Sequence, residues 1–153
     1  MKYVREFFEN YMVISAGLSW FAAQIIKVFT GMFRERRFSV LTLLFSNGGM
    51  PSSRSACVSA LFTASAIEYG PASSQFAICL IIAIVVMGDA AGVRYETGKQ
   101  AKIINGIVKE LFSKDPEKVN TGLKELVGHT PFQVFIGALL GVVIAVVCSF
   151  FML

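Results

Sequence analysis

The run FQVFIGALLGVVIAVVCSFFML, residues 132–153, decides the fold, because its 22 residues include no charged side chain. At 1.5 Å per helical residue, about 20 such residues cross a ~30 Å hydrocarbon core. Working outward from it, three more runs have comparable length and character. Residues 75–93 end close to Asp89; residues 51–69 open on the polar PSSR, counted as a first turn; residues 11–33 carry Gln24 and Lys27 in their second half. The expectation is an all-α, polytopic membrane bundle of about four spans in a single domain, 1–153, with a polar connection over 94–131.

Composition agrees with that reading. Apolar residues make up 55% of the chain and charged residues 16%, against roughly a quarter charged in a soluble domain. The net charge of +4 does not mark a nucleic-acid binder, since the cations sit between apolar runs and form no basic face interleaved with exposed aromatics. Cys57, Cys79 and Cys148 lie inside apolar runs without CxxC spacing, which reads as reduced structural thiols. A removed signal peptide is not expected, because Lys27 interrupts the first run and no small-residue cleavage site follows it.

Within 94–131, GKQAKIINGIVKELF places Ala101, Ile104, Ile107, Val108 and Leu111 at helical spacing, an interfacial amphipathic helix. SKDPEKVNTGLKELVG then reads as a turn and a second short helix. Arg34, Arg36, Arg37 and Arg54 flank the first connection, and Arg94, Lys99, Lys102, Lys109, Lys114, Lys118 and Lys124 populate the third. With four spans, the positive-inside rule places both connections in the cytoplasm and both termini outside.

Two places stand out chemically. In SNGGMPSSRSA, residues 46–56, Pro51 suits a first helical position. Asn47, Gly48 and Gly49 shape the approach, and the first-turn amides, Ser52, Ser53 and Arg54 converge on an anion site. The plainer alternative is a helix start at the membrane surface where serines cap and Arg54 snorkels. The only histidine, His129, precedes TPFQ, where Thr130 and Gln133 fit a capping box with Pro131 first in the helix. Beside that positive helix end the imidazole should stay neutral and nucleophilic. Asp89, an ionisable group near the end of a span, needs a partner among Lys27, Arg54 and Arg94 or joins helices as a buried ion pair. Gly137, Gly141 and Ala145, at four-residue spacing, serve either oligomers or packing inside one bundle.

GGMPSSRSACVSAL, GDAAGVRYETGKQAKIIN and LKELVGHTPFQVFIGALLG, with AQIIKVF near the start, together resemble the divergent branch of the type 2 phosphatidic acid phosphatases, relatives of acid phosphatases and vanadium-dependent haloperoxidases. The wider superfamily builds a phosphate pocket from KxxxxxxRP, PSGH and SRxxxxxHxxxD. The last histidine attacks phosphorus, its aspartate orients it, and the PSGH histidine protonates the leaving group. By resemblance, Lys27 and Arg34 match the first motif, with Glu35 in place of its proline. Arg54 stands where the acid histidine would be. His129 matches the nucleophile, and Gln133 follows it where the divergent branch carries glutamate. Gly122 and Leu123 occupy the SR offsets, with Lys124 or Arg94 as substitutes.

What the resemblance implies is a phosphatase-like pocket for a lipid phosphate or pyrophosphate. His129, Arg54 and Gln133 would be the catalytic candidates, and Lys27, Arg34, Ser52, Ser53, Arg54, Asp89 and Arg94 would surround the phosphate. The partners expected are a phosphorylated lipid and the bilayer of a bacterial-type cell membrane, with a homo-oligomer left open; neither a cofactor nor a metal is called for. Arginine stays protonated and cannot act as a general acid. The alternative is therefore a degenerate relative that binds or moves a lipid phosphate without turnover.

Overall fold

The computed structural model describes residues 1–35 (side chains to residue 30), 50–111, 123 and 128–153. The Arg34 side chain, Asn47, Gly48, Gly49, Gly122, Lys124 and most of the turn and second short helix read into 113–128 lie outside the described residues. The described residues form helices α1 (Lys2–Glu9), α2 (Tyr11–Glu35), α3 (Ser53–Tyr69), α4 (Ser74–Ala91), α5 (Val93–Leu111) and α6 (Pro131–Met152). The expected all-α membrane architecture is present.

Helix boundaries follow local chemistry. Asn10 leaves the helical region at φ −73°, ψ 111°, ending α1, and its Oδ1 accepts from the Val13 N–H at 3.0 Å to start α2. Ser73 caps α4 by accepting from the Phe76 N–H at 3.2 Å. Only Gly92 separates α4 from α5. Ser52, not Pro51, governs the start of α3: its hydroxyl accepts from the Ser55 N–H, so the first helical residue is Ser53. The expectation that Pro51 occupies the first helical position is thereby corrected, because the capping side chain of the next residue sets the boundary.

Among the described residues, three stretches are long and apolar enough to cross a membrane: Tyr11–Thr30, Ser74–Leu111 across the Gly92 break, and Pro131–Met152. At 17 residues and rich in serine and alanine, α3 is shorter. It is the central element, packed on α2, α4 and α6. The count of about four spans thus resolves into three long apolar helices around a shorter one.

Small residues explain that centre. Helices α3 and α6 run parallel, and a Cβ added at Gly137 would fall on the Ser52 carbonyl and 3.1 Å from the Ser55 Cβ. One added at Gly141 would strike the Ala56 carbonyl and lie 2.9 Å from the Ala60 nitrogen. Ala60, Ala64 and Ala145 continue the seam, fully buried. The ladder of Gly137, Gly141 and Ala145 is spent inside the chain, where close backbone approach maximises dispersion contacts. Helix α2 runs antiparallel to both: the Tyr11 hydroxyl donates to the Ala145 carbonyl at 2.7 Å, and Thr30 Oγ1 donates to the Met50 carbonyl at 2.8 Å near the other end. Helix α4 is also antiparallel to α3, with Phe62 against Phe76 at 6.5 Å and Ser59 near Met87 Sδ at 3.8 Å. Large side chains such as Ile81, Ile84, Val85, Phe135 and Leu139 point outward, the pattern of a chain solvated by lipid. The three cysteines are unpaired thiols.

Helix α5 meets its amphipathic expectation with one refinement. Gly98 and Ala101 face inward, while Ile103, Ile104, Ile107 and Leu111 form an exposed apolar stripe.

Candidate functional site

The starts of α3 and α6, the end of α4 and the latter part of α2 gather at one end of the bundle. Backbone hydrogen bonds fix this convergence. The Ser52 N–H donates to the Gln133 carbonyl at 3.2 Å, joining the N-terminal turns of α3 and α6. The His129 N–H donates to the Ala90 carbonyl at 3.2 Å, holding the residues before α6 on the end of α4. Gly128 has φ +94°, and a Cβ there would sit 2.5 Å from the Arg94 carbonyl carbon and the Tyr95 nitrogen. Only glycine permits both that backbone turn and that approach. Farther along, Asn105 grips the Leu123 backbone twice, donating to its carbonyl at 2.8 Å and accepting from its N–H at 2.9 Å.

His129 is the centre of this end. It is 3% exposed, and among the described residues neither ring nitrogen has a hydrogen-bond partner. Burial, and then the charges of Lys27, Arg54 and Arg94, lower its pKa from 6.5 to about 4. A buried imidazole next to cations loses hydration of its charged form and is repelled as well. It is therefore neutral at pH 7, as the helix-start argument anticipated, but the larger cause is burial. Lys27 is itself 3% exposed, on the inward face of α2, and it feels the positive charge of Arg54 on α3. Arg94 Nε donates to Asp89 Oδ2 at 2.6 Å across the α4–α5 break, with both side chains partly exposed. Of the three partners considered for Asp89, the structure selects Arg94.

The structure brings together Lys27, Ser52, Ser53, Arg54, Asp89, Arg94, His129 and Gln133, and two of them take the capping roles also read from the sequence rather than the pocket roles the resemblance implies. The Ser52 hydroxyl accepts from the Ser55 N–H at 3.4 Å and from the Ser55 hydroxyl at 2.9 Å, so it is a helix cap. Gln133 Oε1 accepts from the Thr130 N–H at 3.1 Å while Thr130 Oγ1 accepts from the Gln133 N–H at 3.3 Å, a complete capping box. Gln133 therefore does not orient the imidazole, because its acceptor is already committed to the backbone. Ser53 is buried in the first turn of α3. Gly128, Thr30 and Asn105 escaped the sequence reading. A glycine directly before the only histidine was the available signal; the other two act through long-range contacts that carry no local pattern.

Chemically, this end offers a neutral, sequestered imidazole lone pair, three cations carried on three helices, and the first-turn amides of α3, a setting suited to an anion. Comparison with known proteins agrees with the membrane character. The chain is 40% identical over 156 residues, 95% of this chain and 98% of its relative, to the uncharacterized membrane protein YuiD of Bacillus subtilis strain 168. No solved structure matches it. Residues 8–144, which span the starts of α3 and α6 and everything between them, match the Divergent PAP2 family. On that match the chain is a member of the Divergent PAP2 family.

Proposed function

We propose that this chain binds the phosphate end of a membrane lipid at the bundle end that carries Lys27, Arg54, Arg94 and His129, and that His129 accepts a phosphoryl group when the substrate is a diphosphate. The observation that carries the reading is the buried imidazole with both nitrogens unpartnered among the described residues, set among cations from three helices. A phosphate offers two or three acceptor oxygens for Lys and Arg.

The chemistry follows from what the site has and lacks. An imidazole nitrogen donates its lone pair to phosphorus, the bridging P–O bond breaks, and its electron pair leaves with the departing lipid phosphate. Water then attacks the phosphohistidine, the P–N bond electrons return to nitrogen, and the water protons pass to solvent and product phosphate. Arg54 stabilises charge on the transferred group but cannot protonate a leaving alkoxide. A missing general acid costs about 10²–10⁴ in rate, and the loss is smallest for an acidic leaving group such as phosphate. Diphosphate esters are thus favoured over simple monoesters. The Lys- and Arg-rich connections support a cytoplasmic placement of this end, with α1 on the opposite side.

Phosphate release from a polyprenyl diphosphate and from phosphatidic acid, in vesicles containing the purified chain, tests the reading. Diphosphate turnover abolished by His129→Ala, with monoester turnover appearing or rising in Arg54→His, is the expected pattern. Release from neither substrate by any form, with lipid phosphate still bound, would reduce the function to binding.

A further inference from the structure

At the end of the bundle remote from His129 lies a surface that the phosphate reading does not use. Helix α1 divides cleanly along its length. At 100° per residue Tyr3, Val4, Phe7 and Phe8 fall on one half of the helix and Lys2, Arg5, Glu6 and Glu9 on the other. On the polar half the charges cancel in pairs, Lys2 with Glu6 at 3.8 Å and Arg5 with Glu9 at 2.7 Å. On the apolar half Phe7 and Phe8 meet edge to face at 5.4 Å, and all four apolar side chains are exposed. Among the described residues α1 packs on the beginning of α2. The Asn10 break lets the two helices take different directions.

Neighbouring elements indicate what covers this face. Tyr11, at the α1–α2 junction, is anchored to Ala145 and clusters with Cys148, with Met152 packed alongside. The last turn of α6 therefore lies beside the α1–α2 junction, and there Phe150 and Phe151 are 80% and 85% exposed. Tyr69, at the end of α3, is exposed at the same end of the bundle. Rings concentrated at one level of a membrane helix bundle are the composition of the water–lipid boundary. Exposed apolar side chains also line the flanks of α2 and α6, at Val13, Leu18, Phe21, Val143 and Val147.

We infer that α1 is an in-plane membrane helix, with Tyr3, Val4, Phe7 and Phe8 seated at the level of the lipid headgroups and upper acyl chains, in one belt with Tyr69, Phe150 and Phe151. The occupant is the bilayer, because α1 adjoins α2, a membrane-length helix whose own exposed side chains Val13, Leu18 and Phe21 are apolar. The two internally neutralised ion pairs leave the opposite half needing only water and headgroups. The charge pattern of α5 is different: besides its own Lys99–Glu96 pair at 2.8 Å it carries Lys102 and Lys109. Seating of α1 is consequently indifferent to lipid charge and salt, whereas α5 favours anionic lipid.

Tryptophan fluorescence of the full chain in phosphatidylcholine vesicles tests this. In a Trp20→Phe background, Phe7→Trp or Val4→Trp places the sole indole on the apolar half and Glu6→Trp places it on the polar half. Expected for positions 7 and 4 are blue-shifted emission, strongest quenching by lipids brominated near the headgroup end of the acyl chain, and iodide quenching several-fold weaker than at position 6. These values should persist on adding anionic lipid, salt or excess lipid. Equal iodide quenching at positions 7 and 6 would overturn the inference, as would shielding that bromolipids do not report and that vanishes on lipid dilution, the mark of a second copy. Should Phe7→Trp fail to fold, Val4→Trp carries the same comparison.

Discussion

The Ser52 N–H donates to the Gln133 carbonyl at 3.2 Å, so the N-terminal turns of α3 and α6 are joined directly, backbone to backbone. Two positive helix ends side by side are electrostatically unfavourable neighbours. What keeps them there is the glycine seam behind them, at Gly137 and Gly141, and what they offer is a place for negative charge.

That seam makes the first prediction. Gly141→Leu puts a side chain where the Ala56 carbonyl already is, and it should destabilise the chain by roughly 1–3 kcal/mol or more through forced separation of α3 and α6. Gly17→Ala, with nothing within 4 Å of the added atom, should be neutral or stabilising. Thermal unfolding of the two variants in the same detergent distinguishes them.

A second prediction concerns pH. The His129 pKa is about 4 in the folded chain against 6.5 ordinarily. Between those values the unfolded chain binds a proton that the native state refuses. Native stability is thus fully present above about pH 6.5 and is lost progressively as pH falls toward 4. Denaturant unfolding across that window should show the slope in the native protein and a reduced slope in His129→Gln.

Gln133→Ala separates capping from catalysis. Because Gln133 is engaged in the capping box of α6, the substitution should cost on the order of 1 kcal/mol of stability. The titration of the imidazole should stay where it is. A shifted His129 pKa with unchanged stability would mean that Gln133 contacts the ring after all.

Asp89→Asn frees Arg94 from its carboxylate. Both side chains of the pair are about two-fifths exposed, so stability should change by no more than about 1 kcal/mol. A phosphate anion that competes with Asp89 for the guanidinium should bind severalfold more tightly at low ionic strength. Equilibrium dialysis with inorganic phosphate or a lipid diphosphate reads this directly.

The sequence was most informative where one chemical requirement dominates. Twenty-two uncharged residues after His129 have no sensible home except a bilayer, and Thr-Pro-Phe-Gln spells a helix start without ambiguity. It was less informative where two roles use the same residue. Gln133 fits both a cap and an imidazole partner, and only the hydrogen bond to Thr130 distinguishes them. Gly137, Gly141 and Ala145 fit either an intermolecular or an internal interface until α3 is seen lying against them. Pro51 looked like a first helical residue because proline commonly is one, yet the adjacent Ser52 took the capping position. Residues 51–69 read as a span like the others, because the polar PSSR counts toward its length; the helix itself has 17 residues, and a central helix flanked by longer neighbours need not match the bilayer thickness. The bonds that assemble the site, Ser52 to Gln133 and His129 to Ala90, link residues about 80 and 39 positions apart through backbone atoms, which side-chain patterns do not encode.

Because the chain has one histidine, the most direct test of a phosphate site built around it is an NMR titration of that imidazole, with and without saturating diphosphate, in detergent-solubilised protein. A bound anion offsets Lys27, Arg54 and Arg94, so the His129 pKa should rise by more than one unit from about 4, and the rise should shrink in Arg54→Ala. A pKa and ring chemical shifts that do not respond to diphosphate at any concentration would contradict the site.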